Sequence, residues 1–126
     1  MPPSTWTISE LAREFDITPR TIRFYEDQGI VSPARDGRNR VYAARDRTRL
    51  KLALRGKRLG LQLSEIRALI DMYESPVDTD AQLREYLNVL ARHRAMLEQQ
   101  RQDIDDTLRE IAAQEGQCHE LLARKA

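Results

Sequence analysis

The sequence predicts a mainly α-helical fold, in which a small N-terminal domain of short helices and a β-hairpin is followed by one long helix. Residues 7–42 contain several helix start and stop signals and an Asp-Gly turn. An apolar repeat of seven residues then runs from Leu83 to Cys118, with no proline or glycine until Gly116. We expect the N-terminal domain at 5–75, a linker at 76–79, the long helix at 80–122 and a tail at 123–126.

Residues 7–29 predict two short helices separated by a turn. Ser9 is a good N-cap, because its hydroxyl can accept from a free backbone N–H of the first turn. Thr18 followed by Pro19 is a second start signal, since proline fits the first helical position. Gly29 ends the second helix, because glycine readily adopts a positive φ. Two short helices joined in this way form a helix-turn-helix unit.

The second of these helices carries polar groups suited to nucleic acid. They are Arg20, Thr21, Arg23 and Tyr25. An arginine can bind a guanine edge or a phosphate, and hydroxyl groups suit phosphate oxygens. The pattern therefore indicates a helix that contacts DNA.

A basic hairpin is predicted directly after the helix-turn-helix unit. Asp36-Gly37 is a hairpin-turn signal, and Val41-Tyr42 reads as the returning strand. Three arginines flank the turn, namely Arg35, Arg38 and Arg40. A single surface arginine is usually a solvated charge, but several on one helix-turn-helix and hairpin favour phosphate contact.

Two more helices should support this domain. Residues 44–58 form the first, whose early arginines we interpret as a solvated face. Lys57 and Arg58 lie just before Gly60 and are better placed for phosphate contact. Ser64 is the expected cap of the next helix, which has apolar residues at helical spacing and ends at Ser75-Pro76.

The long helix has an apolar seam that its own small domain cannot cover along its whole length. Residues 80–115 alone would rise roughly 54 Å at about 1.5 Å per residue. The simplest partner is a second copy of the chain, although packing within one subunit is the alternative. The expected dimerisation residues are Leu83, Leu87, Leu90, Leu97, Ile104, Leu108, Ile111 and Cys118.

Charge is divided unevenly along the chain. Residues 1–58 contain 13 basic and 7 acidic residues, a balance of +6, and residues 59–126 contain 8 and 13, a balance of −5. These two balances give the net charge of +1. The positive field thus lies on the half with the helix-turn-helix, where counterion release favours DNA binding.

We expect a cytoplasmic protein. The longest apolar runs are far shorter than the roughly 20 residues needed to span a bilayer. Residues 1–5 have neither a basic region nor an apolar core, so no signal peptide is expected. The single cysteine cannot form an internal disulfide, which fits a reducing compartment.

Residues 6–69 resemble the N-terminal domain of MerR-type transcription regulators. The resemblance rests on residues 7–12, on Thr21 to Glu26, on Gly29-Ile30, and on Pro33, Arg40 and Tyr42. Residues 59–66 look like the second wing of that family and its following helix. The resemblance implies a winged helix-turn-helix domain, a homodimer joined by an antiparallel coiled coil, and binding to a palindromic promoter element.

Together, the residues and the resemblance indicate one DNA-binding surface. Its members are Ser9, Thr18, Arg20, Thr21, Arg23, Tyr25, Arg38, Arg40, Tyr42, Lys57 and Arg58. The partners expected are double-stranded promoter DNA, a second copy of the chain, and RNA polymerase indirectly through the DNA. No membrane partner is expected.

The single cysteine argues against the metal-ion and iron–sulfur effectors that some MerR-type regulators use. Metal-responsive relatives use several cysteines, and relatives with an iron–sulfur cluster use four, so we expect no metal and no cofactor. Cys118 is best interpreted as a small apolar residue of the seam, with a shared metal site or a reactive thiol as alternatives. Residues 50–60 are similar to LiuR-type regulators of branched-chain amino acid and acyl-CoA catabolism, which implies a small organic effector.

A DNA-binding regulator is the class of function that the sequence favours. A dimeric transcription regulator that distorts its promoter explains both halves of the chain, with simple repression by operator occupancy as the alternative. An enzyme is not expected, since no nucleophile and base pattern and no phosphate-binding loop is present. An adaptor that used the coiled coil alone would leave the arginines of the second helix without a role.

Overall fold

The structure is a computed structural model that describes residues 4–74 and 79–125. Within these residues the elements are β1 (Thr5–Trp6), α1 (Ile8–Phe15), α2 (Pro19–Asp27), β2 (Ala34–Asp36), β3 (Asn39–Ala43), α3 (Ala44–Arg58), α4 (Leu63–Glu74) and α5 (Thr79–Lys125). The predicted fold class is confirmed: a helix-turn-helix with a small sheet is followed by one long helix.

The cap of the first helix lies two residues earlier than predicted. Thr7, not Ser9, is the N-cap, and the side chain of Thr7 accepts from the backbone N–H of Glu10 at 3.1 Å. The Glu10 carboxylate accepts in return from the backbone N–H of Thr7 at 2.8 Å. The assignment of Ser9 as cap was wrong because only Thr7 has an acidic residue three positions later to complete this reciprocal pair.

The signals that delimit α2 are confirmed. The Thr18 hydroxyl accepts from the backbone N–H of Thr21 at 3.2 Å, and Pro19 is the first helical residue. Gly29 has φ of +77°, and the next backbone N–H, that of Ile30, donates to the carbonyl of Tyr25 at 2.9 Å. Asp16 adopts a left-handed conformation at the turn between α1 and α2. This conformation is uncommon outside glycine and better tolerated by aspartate than by bulky residues.

A three-stranded antiparallel sheet in the order β1-β3-β2 packs beside the helices. Asp36 pairs with Asn39, which leaves Gly37 and Arg38 as the two turn residues. Gly37 has φ of +64° and Arg38 has no positive φ, as in a type II′ hairpin turn. Strand β1 was not predicted, because two residues carry no readable alternation and their pairing with β3 is a tertiary contact.

Helix α3 packs closely on α4 at Gly56. A Cβ atom at this position would lie 2.8 Å from Cγ1 of Ile66 and 3.4 Å from Cδ1 of Leu61. Helix α4 begins at Leu63, so Ser64 lies inside the helix and its assignment as cap was wrong. The backbone N–H of Gln62 instead donates to the Glu65 carboxylate at 2.8 Å.

The core of the small domain draws on every one of its helices. The largest fully buried side chains are Tyr25, Tyr42, Leu11, Ile22, Ile30, Leu50, Ile70 and Val31. Ile22 and Tyr25 lie in α2, and Ile30 and Val31 lie in the segment that follows it. The position of α2 is therefore set by core packing rather than by its own short length.

Helix α5 contains 47 residues, which corresponds to about 70 Å. By their internal contacts, residues Met1–Tyr86 form one compact unit and Leu87–Ala126 a second. The helix runs three residues beyond its predicted end at 122. The predicted linker at 76–79 falls almost entirely outside the described residues, as does the Ser75-Pro76 stop. Nowhere in the described ranges is a helix both long enough and apolar enough to cross a membrane.

Two glycine substitutions should separate packing from helix propensity. Gly56→Ala adds a methyl group against the buried Ile66, and we expect a net loss of about 1–2 kcal/mol in the free energy of unfolding, because overpacking outweighs the helix preference of alanine. Gly116→Ala is the matched control, since nothing lies within 4 Å of its added atom, and it should gain about 0.5–1 kcal/mol.

Urea unfolding of the three proteins measures both effects. Equal stabilisation by the two substitutions would contradict the close packing of α3 on α4.

Candidate nucleic-acid interface

Helix α2 presents a cationic face to solvent. Arg20, Arg23, Phe24 and Asp27 are exposed, and they recur at spacings of three and four residues along one side of the helix. Residues Ile22 and Tyr25 on the other side are buried in the core. At the N-terminal end, the hydroxyls of Thr18 and Thr21 lie 3.1 Å apart. The exposed side therefore combines two guanidinium groups with donors at the helix start.

Glu26 joins the hairpin to α2. Its carboxylate accepts from Nε of Arg40 at 2.8 Å, from Nη2 of Arg35 at 3.4 Å and from the hydroxyl of Tyr42 at 3.5 Å. These three donors come from both strands of the hairpin. The hairpin is thereby fixed against the helix, and Arg38 at its turn stays exposed, with no ion pair to any described residue.

Two tyrosines of the expected DNA surface lie in the core. Tyr25 and Tyr42 are 2% and 0% exposed. Burial, and next the charge of Glu26, raises the pKa of Tyr42 to about 12, so its hydroxyl is protonated at neutral pH and donates to Glu26. The expected phosphate contact of these residues is corrected accordingly: both side chains belong to the core, and the hydroxyl of Tyr42 faces Glu26.

The arginines of α3 divide into two groups. In the first half of the helix each has a carboxylate partner: Arg45 and Arg49 bind Glu74, and Arg47 binds Glu14. The hydrogen bond from Arg45 is the main reason why the pKa of Glu74 lies below its usual range. In the second half, Lys51, Arg55, Lys57 and Arg58 are exposed and form no ion pair with any part of the chain that the structure describes.

Lys57 and Arg58 lie at the turn of the helix-turn-helix unit. They line a groove together with Phe15 and Ile17, which flank Asp16 at that turn. The structure therefore brings the end of α3 next to the residue that precedes the Thr18 cap of α2. Sequence reasoning placed both residues near Gly60 but could not show which other element they approach.

The segment after α2 is held by groups that the sequence did not reveal. Buried Asp46 accepts from the backbone N–H of Ser32 at 2.9 Å and of Ala43 at 3.0 Å. Arg49 donates to the carbonyl of Ile30, and Arg67 donates to the carbonyl of Gln28. These contacts fix the C-terminal end of α2, and their partners are too distant in sequence to be recognised from spacing.

The predicted seam residues of α5 are largely exposed. Leu97, Ile104 and Leu108 are 53%, 60% and 58% exposed, and Leu90 is half-buried. Cys118 is exposed as well. No group of three or more potential metal ligands occurs among residues 4–74 and 79–125.

With this geometry in place, the comparison with known families is decisive. Residues 6–73 match the family described as MerR HTH family regulatory protein, and residues 47–114 match the family described as MerR, DNA binding. The chain belongs to the MerR family. The family expected from the residues of the helix-turn-helix and hairpin is thus confirmed.

Several MerR-family regulators are similar in sequence. The regulator HmrR of Rhizobium leguminosarum bv. viciae is 35% identical over 79 residues, which is 62% of this chain and 61% of HmrR. CueR of Salmonella typhi is 27% identical over 103 residues, covering 77% of this chain and 75% of CueR. ZntR of Escherichia coli strain K12 is 36% identical over 73 residues, covering 56% of this chain and 52% of ZntR. The match thus spans less than two thirds of HmrR and of ZntR.

Solved structures of MerR regulators share the fold. A MerR-family regulator from Bacillus cereus has a TM-score of 0.64 and 26% identity, over 82% of this chain and 75% of that one. PbrR691 from Ralstonia metallidurans CH34, solved with lead(II), has a TM-score of 0.63, 24% identity and coverages of 82% and 80%. HiNmlR, solved bound to promoter DNA and described as lacking the sensor domain, has a TM-score of 0.57, 24% identity and coverages of 82% and 78%.

Membership of the MerR family settles the general activity. The protein is a DNA-binding transcription regulator and not an enzyme. The exposed side of α2 and the hairpin turn carry exposed arginines in its N-terminal unit.

A pair of substitutions should separate exposed from buried residues of this surface. Arg23→Ala removes an exposed guanidinium group, and we expect DNA binding to weaken by roughly 1–3 kcal/mol. Tyr42→Phe removes a hydroxyl that already donates to Glu26, and we expect binding within about twofold of wild type, with at most a small loss of stability of about 1 kcal/mol.

Titration of labelled promoter DNA measures both changes. A Tyr42→Phe protein that binds as weakly as Arg23→Ala would place the Tyr42 hydroxyl on a phosphate.

Proposed function

We propose that this MerR regulator binds a palindromic promoter element as a homodimer and changes transcription by distorting the DNA in response to a small organic effector. The observation that carries the proposal is the exposed apolar row on α5, because a helix of 47 residues with such a row requires a partner. The proposed dimerisation residues are the eight seam residues from Leu83 to Cys118 named above.

The antiparallel orientation of the proposed coiled coil rests on the family resemblance, and its two-fold symmetry rests on the identity of the two chains. Two identical chains related by a two-fold axis present the same surface to each other. Two symmetric helix-turn-helix units then meet two equivalent half-sites, which is why a palindromic element is proposed.

The proposed DNA contacts lie on exposed or half-buried residues of the N-terminal unit. Arg20 and Arg23 lie on the exposed side of α2, where they are suited to a groove, and Arg38 extends from the hairpin turn. The side chain of Arg40 is 24% exposed and bound to Glu26. Arg40 is therefore proposed both to position the hairpin and to contact DNA. The full proposed set is Ser9, Thr18, Arg20, Thr21, Arg23, Arg38, Arg40, Lys57 and Arg58. HiNmlR, which shares the fold, was solved on promoter DNA and supports this use of it.

Distortion rather than simple occupancy is the proposed mode of action. A rod-like pair of helices fixes the separation of the two DNA-binding units, so the duplex has to adapt to the protein. Deformation of this kind costs of order 1–6 kcal/mol, which contacts and effector binding offset. RNA polymerase is then affected through the altered DNA. Repression by operator occupancy is the second candidate.

An organic effector is favoured over a metal ion. The sequence has one cysteine, exposed on α5, and the described residues hold no cluster of metal-ligating groups. PbrR691 was solved with lead(II), so the fold itself is compatible with metal sensing. The similarity of residues 50–60 to LiuR-type regulators supports an acyl-CoA or related metabolite, and a cytoplasmic location fits this proposal.

Charge placed in the seam should prevent dimerisation. Leu97→Asp puts a carboxylate into the proposed interface, and we expect the protein to sediment as a single subunit, because an unpaired charge is costly to bury. Ala95→Asp is the matched control, since it adds the same charge to α5 on the side opposite Leu97 and should leave the dimer intact.

Analytical ultracentrifugation measures the two masses. An intact Leu97→Asp dimer would contradict the assignment of the seam.

Footprinting on a selected operator tests the mode of action. We expect the central base pairs to become hypersensitive to a chemical probe of unstacked bases when the dimer binds, and this pattern to change when an acyl-CoA thioester is added. An unchanged centre alongside changed transcription would favour repression by occupancy.

A further inference from the structure

We propose that a basic groove between the helix-turn-helix turn and α3 binds the sugar–phosphate backbone beside the half-site. Lys51 and Arg55 then belong to the DNA interface. The groove is lined by Phe15, Ile17, Lys51, Leu54, Arg55, Lys57 and Arg58. This inference rests on the proposed function, because it extends the interface of the same DNA-binding unit.

The groove combines an apolar floor with a row of cations. Leu54 is half-buried between Lys51 and Arg55, and Phe15 and Ile17 are half-buried on the opposite wall. Lys51, Arg55 and Arg58 recur at spacings of four and three residues, so they lie along one side of α3. At 1.5 Å per residue this row extends over about 10 Å.

These cations have no carboxylate partner among the residues that the structure describes. Among residues 4–74 and 79–125, no aspartate or glutamate lines the groove, and none of its four basic residues forms an ion pair there. Arg45, Arg47 and Arg49 on the same helix are all neutralised by Glu14 or Glu74. Cations in the last turn of a helix interact favourably with its dipole, which accounts in part for Arg55, Lys57 and Arg58. Lys51 lies too far from the helix end for that explanation.

The position of the groove favours DNA as its occupant. Ile17 directly precedes Thr18, the cap of α2, so the groove adjoins the start of the helix that carries Arg20 and Arg23. Neighbouring phosphates of one strand lie farther apart than their rise of about 3.4 Å along the helix axis, so a row of about 10 Å can face two successive phosphates. The half-buried Leu54 and Ile17 offer apolar contact to the intervening sugars.

Salt dependence of binding provides the test. The variants are Lys51→Gln, Arg55→Gln and the double variant, because glutamine keeps the stem and is a good helix former. The probe is a duplex selected from a random library by the wild-type protein, with about ten base pairs on either side of the selected element. Arg45→Gln is the matched control, since it removes one charge from α3 that is already paired with Glu74.

We expect the double variant to bind less tightly and with a shallower dependence on salt. Each lost phosphate contact reduces the slope of log K against log salt by about 0.9, which gives about 3.6 for the four contacts of a homodimer. The loss should be the same factor on matched and mismatched duplexes, because phosphates carry no sequence information. Trimming the flanks from the duplex should abolish the difference between wild type and double variant, and Arg45→Gln should keep the wild-type slope.

The outcomes separate this inference from the proposed function. A double variant with the wild-type slope overturns the inference, even if Arg23→Ala weakens binding as expected. In that case, loss of binding to a polyglutamate peptide would assign the groove to an acidic protein partner. A wild-type protein that selects no sequence contradicts the proposed function instead, while the slope on a non-specific duplex still tests Lys51 and Arg55.

Discussion

One carboxylate, that of Glu26, determines the geometry of the candidate interface. It binds donors from both hairpin strands while its backbone belongs to α2, so the helix and the hairpin behave as one body. A short helix and a two-residue turn would otherwise have little to fix their relative angle. The buried Tyr42 ring adds apolar packing beside this carboxylate, and Arg40 supplies its charge-assisted hydrogen bond at 2.8 Å.

The arginines of the N-terminal unit fall into two groups, those that form ion pairs with carboxylates of other elements and those that do not. Glu14, Glu26 and Glu74 neutralise arginines that join separate elements of the domain. Among the described residues, cations without such partners include Arg20 and Arg23 on α2, Arg38 at the hairpin turn and the four basic residues in the second half of α3. A net positive balance in residues 1–58 thus becomes a localised cationic surface, which is what counterion release requires.

The second unit, residues Leu87–Ala126, has an exposed row of apolar side chains. Along α5 the apolar row is exposed, and the polar residues around it form local pairs such as Gln99 with Asp103 and Gln102 with Asp106. Such pairs stabilise a helix weakly and do not replace the burial of an apolar face. In the proposed homodimer, association buries this row and so stabilises the longest element of the chain.

The sequence by itself determined the features that arise within a few neighbouring residues. Thr18 with Pro19, the positive φ of Gly29 and the repeat along α5 are local chemistry, and they were sufficient to predict the helix-turn-helix, the hairpin, the long helix and the family. The tertiary structure decided which polar side chains are exposed to solvent and which are buried or paired. It placed Tyr25 and Tyr42 in the core, paired β1 with β3, and brought Lys57 and Arg58 to the turn before α2. These outcomes depend on which carboxylate or apolar surface, distant in sequence, lies next to a side chain in the folded protein. Spacing along the chain does not encode such contacts.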